Sequence, residues 1–160
     1  MNEIVINIDN EDDYINKYNS NNLSNDLSNY IYEECKGKPF NNKIGILIKS
    51  NFKLNEEKQK DIANKIHNNY KIDLEENLLI IKYSTIKKLL IFILGIIFLY
   101  MSYVLKINFV LSETVLIIGW VAIWEAAYAW LFESDKIKIR IKRLKKLSTC
   151  DIKFEEISKK

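Results

Sequence analysis

Residues 89–105 read LLIFILGIIFLYMSYVL, and residues 114–132 read TVLIIGWVAIWEAAYAWLF. These two stretches decide the fold. The first holds no charge over its length, and as a helix it would be about 25 Å long. A bilayer's hydrocarbon core is about 30 Å thick. Lys87 and Lys88 at one end and Lys106 at the other can snorkel across the shortfall. A core helix of a soluble domain shows a polar stripe. This one shows none, so a transmembrane helix is expected. The second stretch would be about 28 Å long as a helix, and Glu125 interrupts it. Its strongly apolar residues contribute about −3 kcal/mol towards insertion, against about +2.5 for one central carboxylate. That near-balance predicts insertion with help from the first helix. Ser112 is the expected N-cap, with Glu113 in the first turn.

Between the spans lies only KINFVLSE (106–113), which predicts a tight hairpin. Lys82, Lys87 and Lys88 precede it. Lys136, Lys138, Arg140, Lys142, Arg143, Lys145 and Lys146 follow it, and Lys106 alone lies in the turn. Positive residues stay inside, so both termini are expected to be cytoplasmic, in a multi-pass protein of the inner (cytoplasmic) membrane. The start, MNEIVINIDNEDD, is acidic and has no long apolar run, so no cleavable signal is expected.

Outside the spans the chain is polar. Overall it has 160 residues, 48% hydrophobic and 28% charged, with net charge +3. Those values exclude a collagen, a disordered tail and a disulfide scaffold. Charge is sorted along the chain: residues 1–35 carry eight acids and one base, residues 136–160 ten bases and three acids. The two ends should either dock on each other or face different partners. Lysine dominates the bases, as an AT-rich genome dictates, and is no evidence of phosphate recognition. Cys35 and Cys150 have no CxxC spacing and read as reduced thiols.

Alternation in EIVINI (3–8) and the run KIGILIK (43–49) predict strands. Residues 23–36 predict a helix closed by Gly37 and Pro39. Asn55 should cap a second helix to about Asn69, with Ile62 and Ile66 inward and His67 near its end as a capping cation. NLLIIKY (77–83) reads either as a third strand or as the start of a helix continuous with the first span. DIKFEE (151–156) predicts a strand that can return to the same sheet. The fold class is therefore α+β: a small cytoplasmic α/β domain (1–85), a two-helix transmembrane hairpin (86–132), and a basic cytoplasmic tail (133–160).

Glu125 is the most informative residue, because an intramembrane acid marks function or a buried contact. Matching depth across the hairpin puts it level with Ile96, where the first span has no cation or hydroxyl. Tyr128, one turn away, is the only evident partner. Three readings follow: a protonated acid in a helix contact, a pair with another protomer, or the lining of a cation path. Gly119, Ala122, Ala126 and Ala129 recur at helical spacing and let backbones approach, with Gly95 as a matching notch. The basic run Lys136, Lys138, Arg140, Lys142, Arg143, Lys145 and Lys146 predicts contact with anionic lipid. Nucleic acid is not expected, since arginine is scarce and no aromatic residue interleaves the cations. No phosphate loop, dinucleotide fingerprint, nucleophile elbow or HExxH occurs, so neither enzyme activity nor a metal or cofactor is expected.

The stretch GWVAIWEAAYAWLFESDKIKIRIKRLKKL (119–147) resembles small uncharacterised bacterial membrane proteins with two spans and a cytosolic N-terminal domain. The resemblance implies topology only. The expected function is an oligomeric membrane anchor or sensor whose cytoplasmic domain binds another protein. The alternative is a small oligomeric pore or effector with Glu125 lining a cation path.

Overall fold

The computed structural model describes residues 2–39, 42–104 and 109–157. Strand β1 (Asn2–Ile8) leads through a 3₁₀ turn (Glu11–Asp13) to helix α1 (Asn25–Lys36) and strand β2 (Ile44–Ser50). Helix α2 (Glu56–Val104), helix α3 (Phe109–Tyr128), a π turn (Ala129–Glu133), helix α4 (Ser134–Leu147) and strand β3 (Asp151–Glu156) follow. The chain is thus mixed α and β, and two of its helices are long and apolar enough to cross a membrane.

All three strands are parallel, in the order β1-β2-β3. Asn2 pairs with Ile44 and Ile8 with Ser50, while Gly45 pairs with Asp151 and Ser50 with Glu156. The order never reverses, so right-handed crossovers put α1, the start of α2 and the end of α4 on one face of the sheet. The core bears this out. Ile4, Ile6, Ile8, Ile46 and Ile48 meet Leu27 and Ile31 of α1, Ile62, Ile66 and Tyr70 of α2, and Leu144 and Leu147 of α4. Period-two alternation supplies the strand half of this core and spacings of three and four the helical half. The other face carries Glu3, Val5, Asn7, Asp151, Lys153 and Glu155, all exposed. Ion pairs run across it, Lys49 to Glu155 at 3.2 Å and Lys153 to Glu3 at 3.5 Å. Both oppositely charged chain ends therefore join one sheet.

By contacts, the chain forms two units. One is Met1–Glu76 with Arg140–Lys160, and the other is Asn77–Ile139. The second unit is an insertion in the crossover from β2 to β3. Its borders differ from those drawn on composition at 85 and 133, because the polar end of α4 packs Leu144 and Leu147 into the sheet's core.

Several expectations change. The second helix does not stop near Asn69. NLLIIKY lies inside α2, with no breaker between Asn55 and the first span, so His67 has no helix end to cap. Its Nε2 instead donates to the Cys150 carbonyl at 2.9 Å. Ser112 is not an N-cap, since α3 begins at Phe109. Its hydroxyl donates across the hairpin to the Ser102 carbonyl at 2.9 Å. Leu105, the expected end of the first span, and Lys106 lie outside the described residues.

Candidate functional site

Within the hairpin unit three rungs set the helix register. Ser112 bonds to Ser102, Gly119 faces Gly95, and Lys88 Nζ donates to the Ala129 carbonyl at 2.9 Å. Glu125 falls between the last two rungs, beside Ile91 rather than Ile96. The earlier start of α3, at Phe109, goes with the shift of its later residues towards the base of α2.

The shift changes the surroundings of Glu125. A cavity of about 170 Å³ is lined by Ser84, Lys87, Lys88, Ile91, Glu125, Ala126 and Ala129. The acid and two ammonium groups thus share one hollow. Lys88 is buried and Glu125 exposed. Tyr128, the partner expected from sequence, does not line the cavity. It stacks on Phe132 with centroids 4.9 Å apart. The acceptor for Lys88 is the first residue of the π turn, where widening interrupts the regular ladder of carbonyl bonds. Lys88 carried the missed signal: a lysine directly preceding an apolar run reads as an interfacial anchor, and only the register of α3 shows that it reaches inward.

The small residues divide by burial. Gly95, Gly119, Ala126 and Ala129 are buried and Ala122 half-buried. A Cβ at Gly95 would lie 3.0 Å from the Gly119 carbonyl oxygen and 2.7 Å from Ile123 Cγ1. A Cβ at Gly119 would lie 2.9 Å from Leu99 Cδ2. One chain therefore fills this stripe by itself.

The basic run divides too. Arg140, Arg143 and Lys146 follow at helical spacing and face their own domain. The Arg140 guanidinium sits 5.7 Å from the Tyr32 ring centroid. Arg143 donates to the Lys36 carbonyl at 3.3 Å, at the negative end of α1. Lys146 donates to the Asn42 carbonyl at 3.1 Å. Lys136, Lys138, Lys142 and Lys145 are exposed.

In the sheet-bearing unit, burial pushes the Cys150 thiol up to about 11 and also raises Cys35. Neither has the lowered pKa of a reactive cysteine. The Tyr70 hydroxyl, raised by burial, donates to the Ser28 carbonyl at 2.8 Å. An open hollow of about 470 Å³ beside His67 is lined largely by Asn and Lys side chains.

Comparison with protein-family models, with curated proteins and with solved structures finds no match.

Proposed function

We propose that this protein is a non-enzymatic membrane anchor or sensor. In this reading the hairpin holds a small α/β domain at the inner face of the cytoplasmic membrane, where the domain binds another protein. One observation carries the reading: an apolar two-helix insertion lies between two strands that pair side by side. In the most apolar 18-residue stretch of each long helix only 11% and 17% is buried, so neither stretch belongs to the core of this chain. Leu90, Ile97, Trp120, Val121, Trp124 and Leu131 stay exposed, more contiguous apolar surface than water tolerates on a monomer. The pairing of β2 with β3 requires both flanks of the insertion to lie on the same side of any bilayer it crosses. Ten flanking cations favour the inner side.

The uncovered sheet face is the surface offered to a protein partner, since parallel sheets are ordinarily covered on both faces. Because the small-residue stripe is used within one chain, self-association of the hairpin would fall to its larger outward residues. A cation path along Glu125 is the weaker reading, as Lys87 and Lys88 line the same hollow.

Membrane fractionation tests the anchor. The protein should stay in the pellet through alkaline carbonate and leave it only with detergent. Release by carbonate alone would refute it.

A further inference from the structure

We propose that the free edge of β1 docks an extended basic segment of another protein, which joins the sheet as a fourth strand. The inference deepens the protein-binding half of the anchor reading, naming an edge and a partner chemistry. With the order β1-β2-β3, β1 is an outer strand. Its even-numbered residues turn their backbone groups to β2, since the Ile8 carbonyl accepts from the Asn51 amide at 3.3 Å just past that strand. Successive residues of a strand turn theirs to opposite sides, so Glu3, Val5 and Asn7 present N–H and C=O outward. The Tyr30 hydroxyl reaches that edge from α1 and donates to the Val5 carbonyl at 3.4 Å. A bond that long is weak, and an incoming amide can take its place.

A cavity of about 310 Å³ runs along this edge. The backbone from Val5 to Ile8 forms one wall, Leu27 and Tyr30 of α1 the other, and Asp13 and Asp26 also line it. That volume is at the small end of ligand clefts and suits the side chains of one strand. Strand addition draws affinity from main-chain hydrogen bonds and specificity from pockets for alternate side chains. Buried Leu27 offers contact to an apolar side chain. Both charged groups of the lining are acids, and among the described residues no cation lines it. The amides of Asp9 and Asn10 hold Asp13 Oδ2 at 2.9 Å, which fixes the carboxylate in place. The eight acids and one base of residues 1–35 add a field that attracts cations. Strand β3, the other edge, carries Lys153 and three acids, whereas β1 carries Glu3 alone. Charges on an edge discourage added strands, so β1 is the open one. A second copy of β1 brings no cation to the acidic groove.

Fluorescence anisotropy with the full chain in dodecyl maltoside tests the groove. The probe is a labelled, end-blocked peptide, Lys-Lys-Val-Thr-Val-Lys-Lys, which puts a cation at the acidic end in either strand direction. It should bind, and its counterpart with Glu for Lys should not. Methylation of its three central amide nitrogens, which leaves the charge intact, should abolish binding. Asp26→Asn should weaken binding about two- to fivefold, the effect of one exposed ion pair. Glu57→Gln, outside the groove, should change nothing. Val5→Pro removes only an outward N–H, where edge strands tolerate proline, and should abolish binding with the melting temperature kept. The proposal is overturned if the lysine peptide fails to bind, if the methylated or glutamate peptide binds equally, or if Asp26→Asn has no effect. A dimer of the wild type that Val5→Pro splits would overturn it in favour of a second copy. Binding lost on Leu47→Lys but kept on Val5→Pro would place the partner on the open sheet face instead. A chain that survives carbonate washing but ignores the peptide contradicts this groove alone, whereas one that binds the peptide but is released by carbonate contradicts the anchor.

Discussion

Lys88 is buried and lines one cavity with the exposed Glu125, and its ammonium gives a charge-assisted hydrogen bond to the Ala129 carbonyl. Lys88→Met should therefore lower the unfolding temperature in detergent, at a cost of about 2 kcal/mol for a charge-assisted hydrogen bond. Adding Glu125→Gln should return part of the loss, and strict additivity would show that the two groups do not interact. In the sheet-bearing unit the Cys150 thiol is shifted by burial from 9.0 to about 11. The folded state holds that proton more tightly than the unfolded state. The thiol's contribution is thus full below pH 9 and is lost as pH rises through about 11. Thermal melts between pH 8 and 11 should show a decline that Cys150→Ala flattens; identical slopes would contradict it. Legibility at this scale was uneven. The inward Ile4, Ile6 and Ile8 could be read directly from alternation. The surroundings of Glu125 could not, because they depend on where α3 starts, and nothing in KINFVLSE marks Phe109 as the first helical residue over Glu113 after a Ser112 cap.

At the scale of elements, β1, β2, β3 and α1 lie within two residues of their expected bounds, since alternation, Gly37 and Pro39 punctuate them. Helix α2 was less legible. A short apolar run such as NLLIIKY fits a buried strand and a helix equally, and only the absence of a breaker favours the continuous helix that forms. Packing of α2 on α3 depends on two glycines meeting, which a pattern of small residues predicts in kind but not in partner. Gly119→Val should force the helices apart, at about 1–3 kcal/mol for overpacking. Ala122→Val, at a half-buried position, should cost less. Unfolding of both variants in detergent checks the order, and equal losses would contradict the close Gly95–Gly119 approach. Strand β3 closes the sheet through Ile152 and Phe154. A stop after Leu147 should expose β2 as an edge and make the domain sensitive to limited proteolysis. Unchanged resistance would show that β3 is dispensable.

For the whole molecule, composition separates a polar part from an apolar one, but the insertion of one within the other is a property of the sheet. The alternation in DIKFEE and the opposite charges of the two ends allow the last strand to return to the sheet, but they do not say that it pairs with β2, a hundred residues earlier. That pairing makes the topology testable, because an insertion between neighbouring strands must cross a bilayer an even number of times. Cys35 and Cys150 are buried, so introduced cysteines can be read against a quiet background. Tyr103, near the end of α2, is 75% exposed and Tyr18, in the sheet-bearing unit, is 92% exposed, while Lys142 on α4 is also exposed. The most direct measurement is labelling of Tyr103→Cys, Tyr18→Cys and Lys142→Cys by a membrane-impermeant maleimide in intact spheroplasts and again after lysis. Tyr103→Cys should react in intact spheroplasts, and the other two only after lysis. Labelling of Tyr18→Cys and Lys142→Cys on opposite sides, or of all three only after lysis, would contradict a hairpin that crosses the membrane and returns to its own sheet.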